Sequence, residues 1–114
     1  MEFDDDLQQY IVEHNGILFS WDDEPEEYGE LVENLSKAFW DKIDSIARYI
    51  SADIEEMYGA HSIEGIKEKL GMPNIDPERG EINWLEHTFD SEHIFTLEYM
   101  DDEFEELSYF MVTG

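Results

Sequence analysis

Residues 82–99 read INWLEHTFDSEHIFTLEY, and their alternation of apolar and polar side chains decides the fold class. A period of two residues belongs to strands whose side chains alternate between two faces. Two strands are predicted here, Ile82–Phe89 and Ile94–Tyr99, separated by Asp90-Ser91-Glu92. A third, Leu107–Val112, follows Asp101-Asp102-Glu103-Phe104-Glu105-Glu106, which makes an antiparallel meander. A three-residue first turn sets Phe89 opposite His93, His87 opposite Phe95 and Leu85 opposite Leu97. That register gathers Leu85, Phe89, Phe95, Leu97 and Tyr99 on one face, whereas a two-residue loop scatters them. The other face then shows Trp84, Glu86, Thr88, Ile94, Thr96 and Glu98, a mixture that a helix or a partner would cover.

Upstream, Asp76-Pro77-Glu78-Arg79-Gly80 has turn chemistry, so a strand around Ile75 is expected to turn there into Ile82. Ser62 caps a helix bearing Ile63, Ile66 and Leu70, which Gly71 and Pro73 end. Between Tyr28 and Met57, apolar residues recur at steps of three and four: Leu31, Leu35, Phe39, Ile43, Ile46, Ile50 and Ile54. This predicts one long helix, or two joined near Asn34-Leu35-Ser36. Asp22-Asp23-Glu24-Pro25-Glu26-Glu27 reads as its start, with carboxylates at the positive end of the helix dipole. Ile17–Trp21 reads as a strand. Phe3, Leu7, Tyr10, Ile11 and His14 have helical spacing behind Asp4 and Asp5, so a short helix is the first reading for residues 3–14. The alternative is a hairpin turning on Asn15-Gly16, where both positions tolerate positive φ. The expected architecture is a single α+β domain over residues 1–114, a four- to five-stranded antiparallel sheet packed against one long and one or two short helices.

A chain of 114 residues holds one core and buries roughly 65% of its unfolded surface. Six Lys and Arg against 31 Asp and Glu give a net charge of −25. Contact with nucleic-acid phosphate or an anionic membrane is thereby excluded as a direct activity, since each contact brings carboxylate toward phosphate. All six cations lie between Lys37 and Arg79, so the net negative charge is concentrated in the two ends of the chain. With aromatics at 14% the chain is a folded one rather than a disordered one. It has no cysteine, which removes disulfides, thiolate metal sites and cysteine nucleophiles. No stretch has the roughly 20 apolar residues of a membrane span, and Met1–Asp6 lacks the regions of a signal peptide, so cytoplasmic residence is expected.

Enzymatic signatures are missing: there is no nucleophile elbow, and the glycines are too dispersed for a phosphate loop. Acidic pairs are abundant in such a composition and do not by themselves make a general acid and base. The runs Asp4–Asp6, Asp22–Glu24 and Asp101–Glu103 lack the alternating ligands of a calcium loop. His87 and His93, diagonal on one face in the expected register, are the candidates for a metal-binding module. No cofactor is expected. What remains is acid interleaved with aromatics. Trp21, Asp22, Asp23 and Tyr28 form one candidate contact region. Trp84, Glu86 and Glu98 form a second, and Asp101, Asp102, Glu103, Phe104, Glu105 and Glu106 a third. Aromatic anchors within a field of one sign suit a basic protein partner.

The segments Lys69–Asp76, Gly80-Glu81-Ile82, Leu85–Asp90 and His93-Ile94 resemble a group of small acidic bacterial proteins, some of them encoded beside polymorphic toxins as immunity proteins. The resemblance covers residues 58–114. It implies a non-enzymatic inhibitor that binds a toxin domain, often a basic nuclease, and holds it inactive. Other readings of the same charge are a DNA-mimic inhibitor of a DNA-binding or restriction enzyme, and halophilic adaptation.

Overall fold

Asn15 and Gly16 both adopt positive φ, 52° and 77°, in the computed structural model, which describes residues 1–114. They form the two-residue turn of a hairpin, and His14 pairs with Ile17 across it. Strand β2 (Gln9–His14) therefore runs back along β3 (Ile17–Trp21), and β1 (Glu2–Asp4) adds to β2. The helix first expected over residues 3–14 is thus replaced by two strands. Its apparent cap, Asp4, instead closes a tight turn: its carboxylate accepts the Leu7 N–H at 2.9 Å and its carbonyl accepts the Gln8 N–H at 2.8 Å. Tyr10-Ile11-Val12, a strand-favouring run, outweighs the three-and-four spacing around it.

The chain then leaves the sheet for helices α1 (Gly29–Asp41), α2 (Ile43–Tyr58) and α3 (Ile63–Leu70). The long apolar stripe is divided, but at Lys42 rather than near Asn34–Ser36. Lys42 closes α1, donating its N–H to Ala38 and Phe39 carbonyls, and opens α2. Neither glycine nor proline stands there, and the apolar stripes of both helices are buried in one core. Helix α1 begins only at Gly29, and Asp22–Glu27 lies in the preceding loop instead of starting it. Ser62 caps α3 by accepting the Gly65 N–H at 3.0 Å, and Gly71 ends it at φ 72°, as the sequence predicts.

After α3 come β4 (Asn74–Asp76), β5 (Glu81–Trp84), β6 (Ile94–Tyr99) and β7 (Leu107–Thr113). The fold is α+β, with three helices and one seven-stranded sheet in sequence order β1 to β7. The expected sheet was smaller and wholly antiparallel; this one is mixed, because the helical excursion returns the chain parallel to β3, with Leu18 beside Asn74 and Phe19 beside Ile75.

Strand β5 stops at Trp84, not Phe89. Its register on β6 places Ile82 opposite Leu97 and Trp84 opposite Phe95, three residues from the expected pairing and therefore of opposite face. Residues 85–93 leave the sheet to meet the end of α3, where the Thr88 N–H donates to the Lys69 carbonyl at 2.8 Å. Trp84, expected on the second face, is wholly buried with Phe95 and Leu97, while Leu85 is exposed. Between the strands on one side and α1–α3 on the other lies a 19-residue apolar core. Every helix is inserted between β3 and β4 and buries its stripe in that core. The second face of the sheet carries no helix.

Candidate partner-binding surface

The helix-free face follows from pairing. Asp76 lies opposite Glu81, and Glu81 opposite Glu98, on adjacent strands. Glu98 in turn lies opposite Tyr109 of β7. Three carboxylates thus form a transverse row, ending on an aromatic that is 55% exposed. Like charges directly across a ladder repel and destabilise the sheet by a few tenths to about 1 kcal/mol per pair.

Asp76 is relieved of this. It is buried, and Arg79 Nη1 reaches its Oδ2 at 2.5 Å while its Oδ1 accepts the N–H groups of Glu78 and Arg79. Arg79 Nη2 also reaches Asp22 Oδ2 at 2.5 Å, and the Asp22 N–H donates to Glu78. The Arg79 and Gln9 hydrogen bonds hold the Asp22 carboxyl below the usual carboxylate range. Asp22 is therefore a strut between the two halves of the sheet rather than the opening of a helix. Glu81 and Glu98 have no ion pair within 4.0 Å. Burial first, then the neighbouring Asp76 charge and more weakly Glu98, raise the Glu81 carboxyl above its ordinary value, and Arg79 offsets this only in part.

Beyond Glu98 the strand leads into the acidic turn. Phe104, at φ 57°, is buried against Tyr99 and Phe39, with ring centroids 4.7 and 6.0 Å away. The Asp101 carboxylate accepts the Glu105 N–H at 2.9 Å. The turn is thereby fastened from beneath and from within, and it holds Asp102, Glu103, Glu105 and Glu106 exposed on a fixed frame. Only Glu105 has a cation near it, Lys42 at 3.6 Å. Met100, 66% exposed, stands beside this turn.

Of the aromatics expected to be anchors, Trp21, Trp84 and Phe104 are core residues, and Tyr28 is half-buried against Trp21 at 5.7 Å. Asp22, Asp23 and Glu86 are exposed; Asp22 joins the buried end of the row, since Arg79 and Gln9 each reach both it and Asp76. Glu86 instead rims a shallow groove of about 270 Å³ with Asp4 and Asp6, over Leu7, Leu18, Met72 and Leu85. The residues that sequence reading passed over are Glu81, Met100 and Tyr109. Tyr109 carried a signal, since it adjoins Phe110 in an uncharged strand and so must face the side opposite to it.

The histidine pair is structural. His87 is buried and stacked on Phe95, ring centroids 3.8 Å apart, and its Nε2 donates to the His93 carbonyl at 2.7 Å. Its Nδ1 accepts the Phe89 N–H at 3.2 Å, which fixes the tautomer and uses both nitrogens. His93 Nδ1 pairs with Asp90 at 2.7 Å, and no group of three His, Asp or Glu side chains is placed to hold a metal ion. His87 therefore has neither ring nitrogen free for a metal ion in this arrangement. Asp90 also receives the Tyr58 hydroxyl. That bond, followed by those from His93 and the Glu92 and His93 N–H groups, holds the Asp90 carboxyl far below its usual range. Burial and the Asp90 bond push the Tyr58 hydroxyl up to about 12. This cluster ties the end of α2 to the 85–93 loop.

Comparison with protein-family models, with curated proteins and with solved structures found no match. No helix is long and apolar enough to cross a membrane.

Proposed function

We propose that this chain is a non-enzymatic binding protein that neutralises a basic toxin domain, of the nuclease kind, by direct contact. The observation that carries the reading is the uncompensated carboxylate row through Glu81 and Glu98, which ends on exposed Tyr109 and adjoins the rigid acidic turn. Glu81 and Glu98 oppose each other with no ion pair within 4.0 Å, and Arg79 offsets the Glu81 side only in part. A partner's Lys and Arg side chains would relieve the repulsion, and Tyr109 and Met100 would supply the apolar anchor. Basic nuclease clefts present that chemistry, and the resemblance over residues 58–114 points the same way. Long-range attraction would raise the association rate toward about 10⁸–10⁹ M⁻¹s⁻¹ at low salt and fall as salt increases.

Co-expression with the product of the neighbouring gene tests the proposal. The expected result is co-purification at low salt and rescue of cells from that protein's toxicity. Rescue should be lost when Glu81, Glu98, Asp102, Glu103 and Glu106 are made neutral, and retained when Asp41 and Asp44 are. Absence of both co-purification and rescue with every adjacent gene product overturns it.

A further inference from the structure

The two edges of the sheet are built differently. Strand β1 has three residues, Glu2–Asp4, and two of them are carboxylates, a short charged edge that resists pairing. Strand β7, at the opposite edge, has seven residues, Leu107–Thr113, with neither a charge nor a proline among them. Tyr109, Phe110 and Val112 favour extended backbone. Its pairing with β6 is regular from Ile94–Thr113 to Glu98–Tyr109, and the one irregularity lies at Glu98/Tyr99. In an antiparallel ladder alternate residues face away from the neighbour, so β7 offers a row of N–H and C=O groups to solvent. No strand lies on the outer side of β7, and Ser108, Tyr109 and Thr113 are exposed along it.

Charge identifies the occupant. Exposed Glu105 and Glu106 precede β7, and exposed Glu92 lies beside Gly114 at its far end. A second copy of the chain, added antiparallel about a two-fold axis, would bring Glu105 and Glu106 of each copy toward Glu92 of the other, between molecules of net charge −25. A strand with apolar side chains at its centre and Lys or Arg at both flanks meets the same edge with attraction at each end.

We propose that β7 is a docking edge, to which a basic partner protein adds a strand that extends the sheet by one. This rests on the reading of the chain as a binder of a basic protein, and it names the element through which binding occurs. Pairing there would set the partner beside Tyr109 and Glu98.

The probe is a synthetic peptide, acetyl-Lys-Lys-Val-Thr-Val-Thr-Val-Lys-Lys-amide, with the Lys-to-Glu version as control. Titration into the full chain at low salt is followed by amide NMR and hydrogen exchange. At free peptide tenfold above half-saturation, outward-facing amides of β7 should exchange about elevenfold more slowly, from the factor 1 + [L]/Kd, and the control should leave them unchanged. Shifts confined to Leu18, Glu81 and Glu98, without slowed exchange in β7, overturn strand addition and leave the basic-partner reading standing. Absence of any binding overturns both. A dimer by sedimentation whose β7 amides are protected without peptide also overturns it, in favour of self-pairing.

Discussion

Replacing Glu81 by Gln should make this protein more stable. Glu81 faces Asp76 on one side and Glu98 on the other, at directly opposed ladder positions. At that separation each like-charge pair costs a few tenths to about 1 kcal/mol, and Arg79 already offsets the Asp76 side. A net gain of about 0.5–1 kcal/mol at pH 7 follows, which for a domain of this size raises Tm by about 2–5 °C. The acid dependence should change as well. Because the folded protein raises the Glu81 carboxyl, it binds that proton more tightly than the unfolded chain. The Glu81 contribution is therefore unfavourable above its folded pKa and disappears as pH falls below the ordinary Glu value of about 4.3. E81Q should accordingly outperform the parent at pH 7 and converge with it near pH 4, in urea unfolding followed by tryptophan fluorescence. Glu98→Gln should also raise stability at pH 7 by removing its repulsion with Glu81, and the double variant should gain less than the sum of the two. If E81Q is no more stable at pH 7, or its advantage persists unchanged at pH 4, the row is not under electrostatic strain. A basic partner would then have no repulsion to relieve there.

Arg79→Met should lower the urea midpoint, because buried Asp76 loses its cation and Asp22 keeps only its Gln9 and Glu78 bonds; no change would mean the guanidinium ties nothing together. Tyr58→Phe should cost about 1 kcal/mol at pH 7. It should also flatten the acid loss of stability below about pH 3.9, since the lowered Asp90 carboxyl stabilises the fold above that value and ceases to as it is protonated. An unaltered acid limb would remove Asp90 from that account. Gly80→Ala should destabilise by about 1 kcal/mol or more, as φ is 68° and the added Cβ would sit 3.2 Å from the Tyr99 carbonyl oxygen; a neutral result in thermal melting would show that the turn relaxes.

How much the sequence disclosed depended on the range of the interactions involved. Helix α3 was legible because Ser62, the stripe Ile63, Ile66 and Leu70, and Gly71 settle it within ten residues. The Asp76–Gly80 turn was legible for the same reason. Residues 3–14 were misread because two periods coexist in Phe3–His14, and only pairing with β3 selects the strand. The end of β5 was hidden because a second alternation, Leu85, His87 and Phe89, begins directly after Ile82 and Trp84, and the change of phase at Trp84-Leu85 is the one local mark of the strand's end. What pulls that segment from the sheet is the end of α3, distant in sequence. The acidic character of the surface needed only counting. Its organisation needed the register, and a register wrong by three residues turned Trp84 outward and left Glu81 without Glu98.

Because strand order in space repeats strand order in the chain, β1 and β7 stand at opposite edges. A force that pulls those two strands apart across the sheet loads each ladder at right angles to its strands, so rungs open one after another instead of resisting together. The β3–β4 seam has only two paired positions, against six between β6 and β7. Arg79 bridges it from β4–β5 turn to Asp22, and the three helices span it on the other side. Mechanical parting of the molecule should therefore begin at that seam, with the Arg79 clasp as its first resistance.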